Sequence, residues 1–164
     1  MELAAFNQLT ADEARATIRH CVAIPRWQEA LVSARPFYSR EALLAVADTL
    51  ARQWQQPELQ AALTAHPRIG ERAEGTDKEA TLSRGEQSAM QQAGHALQQA
   101  MQQGNQAYEA RFGRVFLIRA KGRSGEEMLA ALQRRLQNSE ADEQQETLDQ
   151  LREITLLRLK ETIR

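Results

Sequence analysis

Three places in this chain combine residue types that do acid–base or anion chemistry. His66 stands in the stretch "AHPRIGERAEG", residues 65–75, and is one of only 3 histidines. An imidazole titrates near neutral pH, so at the mouth of a loop it can move a proton on a substrate. The competing reading is a histidine at a helix C-terminus, bonding the last carbonyls and favouring the negative end of the dipole. In "TLSRGEQ", residues 81–87, Ser83 and Glu86 have the Ser-x-x-Glu spacing of a capping box, which accounts for both. The same turn would present unpaired N–H groups to an anion, and Gln87 adds an amide able to donate and accept against ureido or imide groups. The third place is Arg158. At about 100° per residue it lies about 20° from Leu151 and about 40° from Ile154, among apolar neighbours. A buried arginine needs an anionic partner, and a protein carboxylate and a bound anion both qualify. Arg152 and Lys160 read as ordinary surface charges, and Arg68, Glu71 and Glu74 as the scaffold of a charged loop.

Other chemistries lack their residues. There is no Walker-type phosphate loop, no GxSxG elbow and no His-x-x-x-His pair. His20 and His95 fall inside expected helices without a ligand at metal-binding spacing, so no metal site is expected. The 3 lysines, Lys78, Lys121 and Lys160, have no apolar setting that would activate them for Schiff-base work. An enzyme here would work by acid–base chemistry without a cofactor. With 21 basic and 22 acidic residues the net charge is -1, which offers no footprint for nucleic acid or an anionic membrane. "RAKGR" and "QRR" are the basic clusters. The single cysteine, Cys21, leaves no intramolecular disulfide and no cysteine-based zinc cluster. No apolar run is long enough to span a membrane, and "MELAAFNQ" lacks the features of a signal peptide, so a cytoplasmic protein is expected.

The elements that would carry these residues are helices. "TADE" at Thr10–Glu13 is a capping box opening a helix to about Cys21. "RWQEALVSA" reads as the next, and Ser39 caps "REALLAVADTLARQW", whose Leu43, Val46, Ala47, Leu50 and Trp54 make an apolar face. Pro57 suits the first position of a further helix, expected to end near Ala65 because the residue before Pro67 is disfavoured in the α region. No periodicity runs from His66 to Leu82, and loops of that length are usually functional or disordered. A helix from about Arg84 to Gln103 is expected to stop at Gly104, followed by a short one, "NQAYEARFG", closed by Gly113. "VFLIRA" is the one strand-like run, and a lone strand has no partner, so it reads as a buried extended segment. Ser124 and Glu127 form another capping box, and a last helix starts near Glu140. The expected fold is an all-α bundle of about seven to nine helices, a single domain over residues 1–164.

In this order, "FNQL", "RW" at Arg26–Trp27, "HPRIG", "SRGEQ", "NQAYEARFGRVFLIRAKGRSGEEML" and "LREITLLRL" resemble the 2-oxo-4-hydroxy-4-carboxy-5-ureidoimidazoline (OHCU) decarboxylases, in the form found in bacteria. The resemblance covers nearly the whole chain. It implies a helical, cofactor-free homodimer that converts its small-molecule substrate to (S)-allantoin and CO2 in urate breakdown. It places the family's catalytic His-Pro on His66 and Pro67, its Ser-x-x-Glu-Gln on Ser83, Glu86 and Gln87, and its buried C-terminal arginine on Arg158. His66 and Glu86 would be the catalytic pair and the others substrate-binding. Backbone groups of Phe116, Ile118 and Ala120 would wall the pocket. The C-terminal "ETIR" differs from the Ser-Lys-Leu type signal of peroxisomal members and fits a bacterial cytoplasm. The nearest rival activity is a hydrolase or tautomerase acting on a related ureido-imidazole such as 5-hydroxyisourate.

Overall fold

Local capping chemistry sets several of the helix starts. The computed structural model describes residues 1–66, 68–70, 82, 85–91 and 93–164, for Gln91 the backbone alone. Among the described residues there are nine α-helices and no strand: α1 (Leu3–Gln8), α2 (Ala11–Ile18), α3 (Pro25–Ser33), α4 (Arg40–Ala51), α5 (Gln56–Leu63), α6 (Ser88–Gln91), α7 (His95–Phe112), α8 (Gly125–Arg135) and α9 (Glu140–Thr162). The all-α expectation holds. Both capping boxes form: Glu13 N–H donates to Thr10 Oγ1 at 3.2 Å and Thr10 N–H to Glu13 Oε1 at 3.0 Å, and Ser124 and Glu127 repeat the exchange at 3.1 and 3.3 Å. Ser39 Oγ likewise accepts from Ala42 N–H at 3.0 Å. Each such cap stabilises its helix by about 1 kcal/mol.

The backbone contacts divide into two units, Met1–Ala62 with Arg152–Arg164, and Leu63–Leu151. In the first, α3 and α4 are locked by Trp27, whose indole N–H donates to the Ala47 carbonyl at 3.1 Å and whose ring meets Trp54 edge-on at 6.3 Å. Asn7 of the "FNQL" motif pairs with the backbone of Phe37 through both amide atoms, at 2.8 and 3.0 Å. Arg152, read from sequence as a surface charge, is instead largely buried and paired with Asp48 at 3.2 Å. Its position on the helix faces another charged side chain, which spacing along one helix cannot reveal.

In the second unit α7 packs against α8, and here the expected helix boundary moves. Gly104 lies inside α7, and the break falls earlier, at Ala93–Gly94, with Gly94 as N-cap and His95 as the first helical residue. Gly104 is a contact residue rather than a stop: a Cβ placed there would stand 2.5 Å from Leu132 Cδ2 and 3.3 Å from its Cγ. Gly104→Ala therefore has to push a fully buried leucine aside, an overpacking cost of about 1–3 kcal/mol that exceeds the roughly 1 kcal/mol gained in helix propensity. The expected result is a lower urea midpoint at unchanged m-value. Gly113 does close the helix, in the left-handed conformation at φ 71°.

Residues 115–120 run without helical or turn structure, and Phe116, Leu117, Ile118 and Ala120 are all buried. Buried beside them is a polar cluster. Tyr108 of α7 donates its hydroxyl to Glu143 of α9, and Glu143, fully buried, is held by Arg135 of α8 through Nη2 at 2.5 Å and Nε at 3.0 Å. The "QRR" run thus hides one of its arginines in the core. Burial, then the bond to Glu143, pushes the Tyr108 phenol up from 10.0 to about 12. Because the folded state holds this proton more tightly, the stability it contributes is complete below pH 10 and is lost as pH rises towards 12. An alkaline melting series should show that loss, and Tyr108→Phe should flatten it; an unchanged slope would contradict the assignment.

Candidate functional site

His66 follows the end of α5 and is half-buried; its backbone N–H donates to the Leu63 carbonyl at 3.1 Å. That bond caps the helix through the main chain, so the imidazole is not needed for it. Pro67 and Ser83 lie outside the described residues, as do Glu71 and Glu74.

Three ties hold the turn just past His66. Arg68 grips Glu109 of α7 with Nε at 2.7 Å and Nη2 at 2.8 Å. Asn105 Nδ2 donates to the Ile69 carbonyl at 2.7 Å. Gly70 N–H donates to Gln87 Oε1 at 3.1 Å, with Gly70 at φ 96°, a conformation that disfavours any side chain. Arg68 thus ties the turn to α7. Gln87 is buried, and its amide oxygen serves the turn, which leaves Nε2 as its group for a ligand. Asn105 escaped the sequence reading; it sits on the apolar face of α7, one turn from Met101 and three residues from Tyr108, and a polar residue on such a face is the signal for it.

The turn and the extended segment share one core. Ile69 belongs to the same buried cluster as Phe116, Ile118 and Ala120, together with Met90 and Met101. Gln87, Phe116, Ile118 and Ala120 thus stand in the second unit with His66 and the half-buried Glu86. Arg158 belongs to the first unit, where it is 1% exposed and donates through Nη1 to the His20 carbonyl at 3.2 Å. Its burial is what the helical spacing implies.

Two features outline how the extended segment is used. Leu117 presents its carbonyl to Arg135 Nη1 at 2.8 Å, and Arg119 its N–H to Gln150 Oε1 at 2.9 Å. In an extended chain, residues two apart point their N–H and C=O groups to the same edge, so these bonds occupy one edge and Phe116, Ile118 and Ala120 face the other. Among the described residues, no protein group bonds the N–H or carbonyl of Ile118. A buried donor and acceptor side by side match one N–H and one C=O of a ureido or imide group.

A wider groove of about 580 Å³ runs along α7, lined by Arg68, Gly70, His95, Gln98, Gln102 and neighbouring residues. It includes none of the site residues expected from sequence; four exposed glutamines line it together with His95, and its Arg68 and Glu109 are paired with each other. No group of three metal-ligating side chains occurs among the described residues.

Comparison with known proteins bears on this arrangement. OHCU decarboxylases of Haloferax volcanii and Halalkalicoccus jeotgali are 32% and 33% identical to the chain, over 79% of it in both cases and over 76% and 72% of their own lengths. A crystal structure of OHCU decarboxylase in the presence of (S)-allantoin superposes with a TM-score of 0.71 at 26% identity, covering 87% of this chain and 94% of that one. The crystal structure of (S)-allantoin synthase, 18% identical, shares the fold at a TM-score of 0.74 over 99% of this chain and 54% of that one. The sequence model of the OHCU decarboxylases matches residues 7–160, and the chain belongs to that family.

Proposed function

We propose that the protein is a carboxy-lyase that decarboxylates 2-oxo-4-hydroxy-4-carboxy-5-ureidoimidazoline to (S)-allantoin in purine catabolism. The match to the family over residues 7–160 carries this reading. The substrate is its own electron sink: when the bond to CO2 breaks, its electron pair forms a double bond to the adjacent ring carbon, and the imine nitrogen takes the displaced charge. The nitrogen takes up a proton from solvent to become the ring N–H, the hydroxyl becomes the carbonyl as its proton leaves, and the ring carbon bearing the ureido group gains a proton, so one net proton replaces the CO2.

His66 takes the hydroxyl proton, with Glu86 setting its orientation and charge. Ile118 meets the ureido and ring amide atoms through its N–H and C=O, flanked by Phe116 and Ala120, and Gln87 adds Nε2. Pro67 and Ser83 complete the substrate contacts on the motif match alone. So does Arg158, assigned to the substrate's anionic group. Delivery of the new proton to one face gives the (S) configuration. The same resemblance supports a single domain, a homodimer and a cytoplasmic location; among the described residues no helix is long and apolar enough to cross a membrane.

The test is freshly generated substrate followed by circular dichroism for (S)-allantoin, with CO2 release measured alongside. Acceleration of both over the spontaneous reaction is the expected result. No acceleration, or consumption of 5-hydroxyisourate instead, would overturn the reading.

A further inference from the structure

We infer that Arg135 and Gln150 are positioning residues that set the register of the 115–120 segment, so that the main chain of Ile118 faces the substrate. The inference rests on the reading above, in which this segment walls the pocket. An extended segment in a sheet takes its register from neighbouring strands, and a slip of one residue turns every group to the opposite side. Here no strand occurs among the described residues, and side chains from two helices perform that task.

Arg135 of α8 donates to the Leu117 carbonyl at 2.8 Å, and Gln150 of α9 accepts from Arg119 N–H at 2.9 Å. Both ties fall on one edge, two residues apart, and they leave the Phe116–Ile118–Ala120 edge turned away from α8 and α9.

The guanidinium is itself immobilised. Its Nε and Nη2 atoms hold Glu143, Nη2 also reaches Thr147 Oγ1 at 3.2 Å, and its Cζ stands 4.5 Å from the centre of the Phe116 ring. An ion pair serving only the core would be complete with Glu143; this one extends a third nitrogen to a backbone carbonyl. A planar fork reaches both targets at once, and a lysine ammonium is a single point on a flexible stem.

Variants at both positions separate positioning from bulk stability. Arg135→Lys keeps a cation beside Glu143 and loses the fork; Gln150→Leu removes the acceptor, and Gln150→Glu restores an oxygen there. The expected result is a rise in KM of about tenfold or more for Arg135→Lys and Gln150→Leu, consistent with the loss of about one hydrogen bond's worth of alignment. Gln150→Glu should return to within a few-fold of wild type. Ser39→Ala, which loses the N-cap of α4 in the other unit and about 1 kcal/mol of stability, should keep the wild-type KM and so serves as the control.

Wild-type kinetics in folded Gln150→Leu, or a KM change matched by Ser39→Ala, would overturn the inference. The register is also read without substrate, as NMR shift changes at the Phe116–Ala120 amides in Gln150→Leu that Ser39→Ala does not produce; their absence would equally overturn it. An inactive wild-type protein would refute the decarboxylase reading, and those amide shifts would still decide the register.

Discussion

His66→Ala is expected to lower kcat for the decarboxylation by about 10²- to 10⁴-fold, the usual contribution of one general acid–base group. The KM should change little. The turn beyond His66 is held by Arg68 on Glu109, Asn105 on Ile69 and Gln87 on Gly70, and none of these ties uses the imidazole. The helix end is likewise closed by the His66 backbone N–H. Removing the ring therefore removes a proton carrier and leaves these ties in place. The measurement is steady-state formation of (S)-allantoin by circular dichroism, with a melting curve on the same sample. Near-normal kcat at unchanged melting temperature would take His66 out of the chemistry.

The largest loss of stability is expected from Arg135→Met. Glu143 is 0% exposed, and without the guanidinium its charge would be buried beside Tyr108 and Thr147. Breaking such a pair from one side costs about 3–5 kcal/mol, a large share of a typical folding free energy. The double variant Arg135→Met with Glu143→Met should recover part of this, because no charge is then stranded. Recovery is incomplete: the Tyr108 hydroxyl loses its bond to Glu143 and the Leu117 carbonyl its guanidinium, while the Asn138 amide keeps only Glu146. Urea denaturation of the single and double variants measures the difference. A single variant as stable as wild type would mean that water reaches Glu143.

Elements whose cause lies within four residues were legible in the sequence. Thr10 with Glu13, Ser39, and Ser124 with Glu127 cap their helices through contacts three residues apart, and Gly113 ends α7 by its own backbone freedom. Gly104 was misleading because its reason is tertiary: it makes room for Leu132. Helix α1, six residues long, is too short to show a period.

Arg135 shows a different gap. Met128, Leu132 and Arg135 fall at four- and three-residue spacing on α8, the same arithmetic that places Arg158 inside, yet a neighbouring arginine made the pair look like a solvated cluster. Among the candidate site residues, His66 could be singled out from its type and the break in periodicity, whereas residue types marked the extended segment only as buried and the resemblance alone made it a pocket wall. The bonds that place them, Gly70 to Gln87 and Ile69 to Asn105, span 17 and 36 residues and have no local trace.

The extended segment has one further consequence, for mutational tolerance. A pocket wall that offers main-chain atoms has the same donors and acceptors whatever side chains it carries, so Phe116 and Ile118 answer to packing alone. Conservative swaps such as Ile118→Val should be nearly silent in kinetics. On the proposed reading, the sensitive positions for recognition are displaced to Arg135 and Gln150, 18 and 31 residues beyond the carbonyl and N–H that they hold. In a set of random variants, loss of affinity without loss of folding should therefore map to α8 and α9 sooner than to the wall itself.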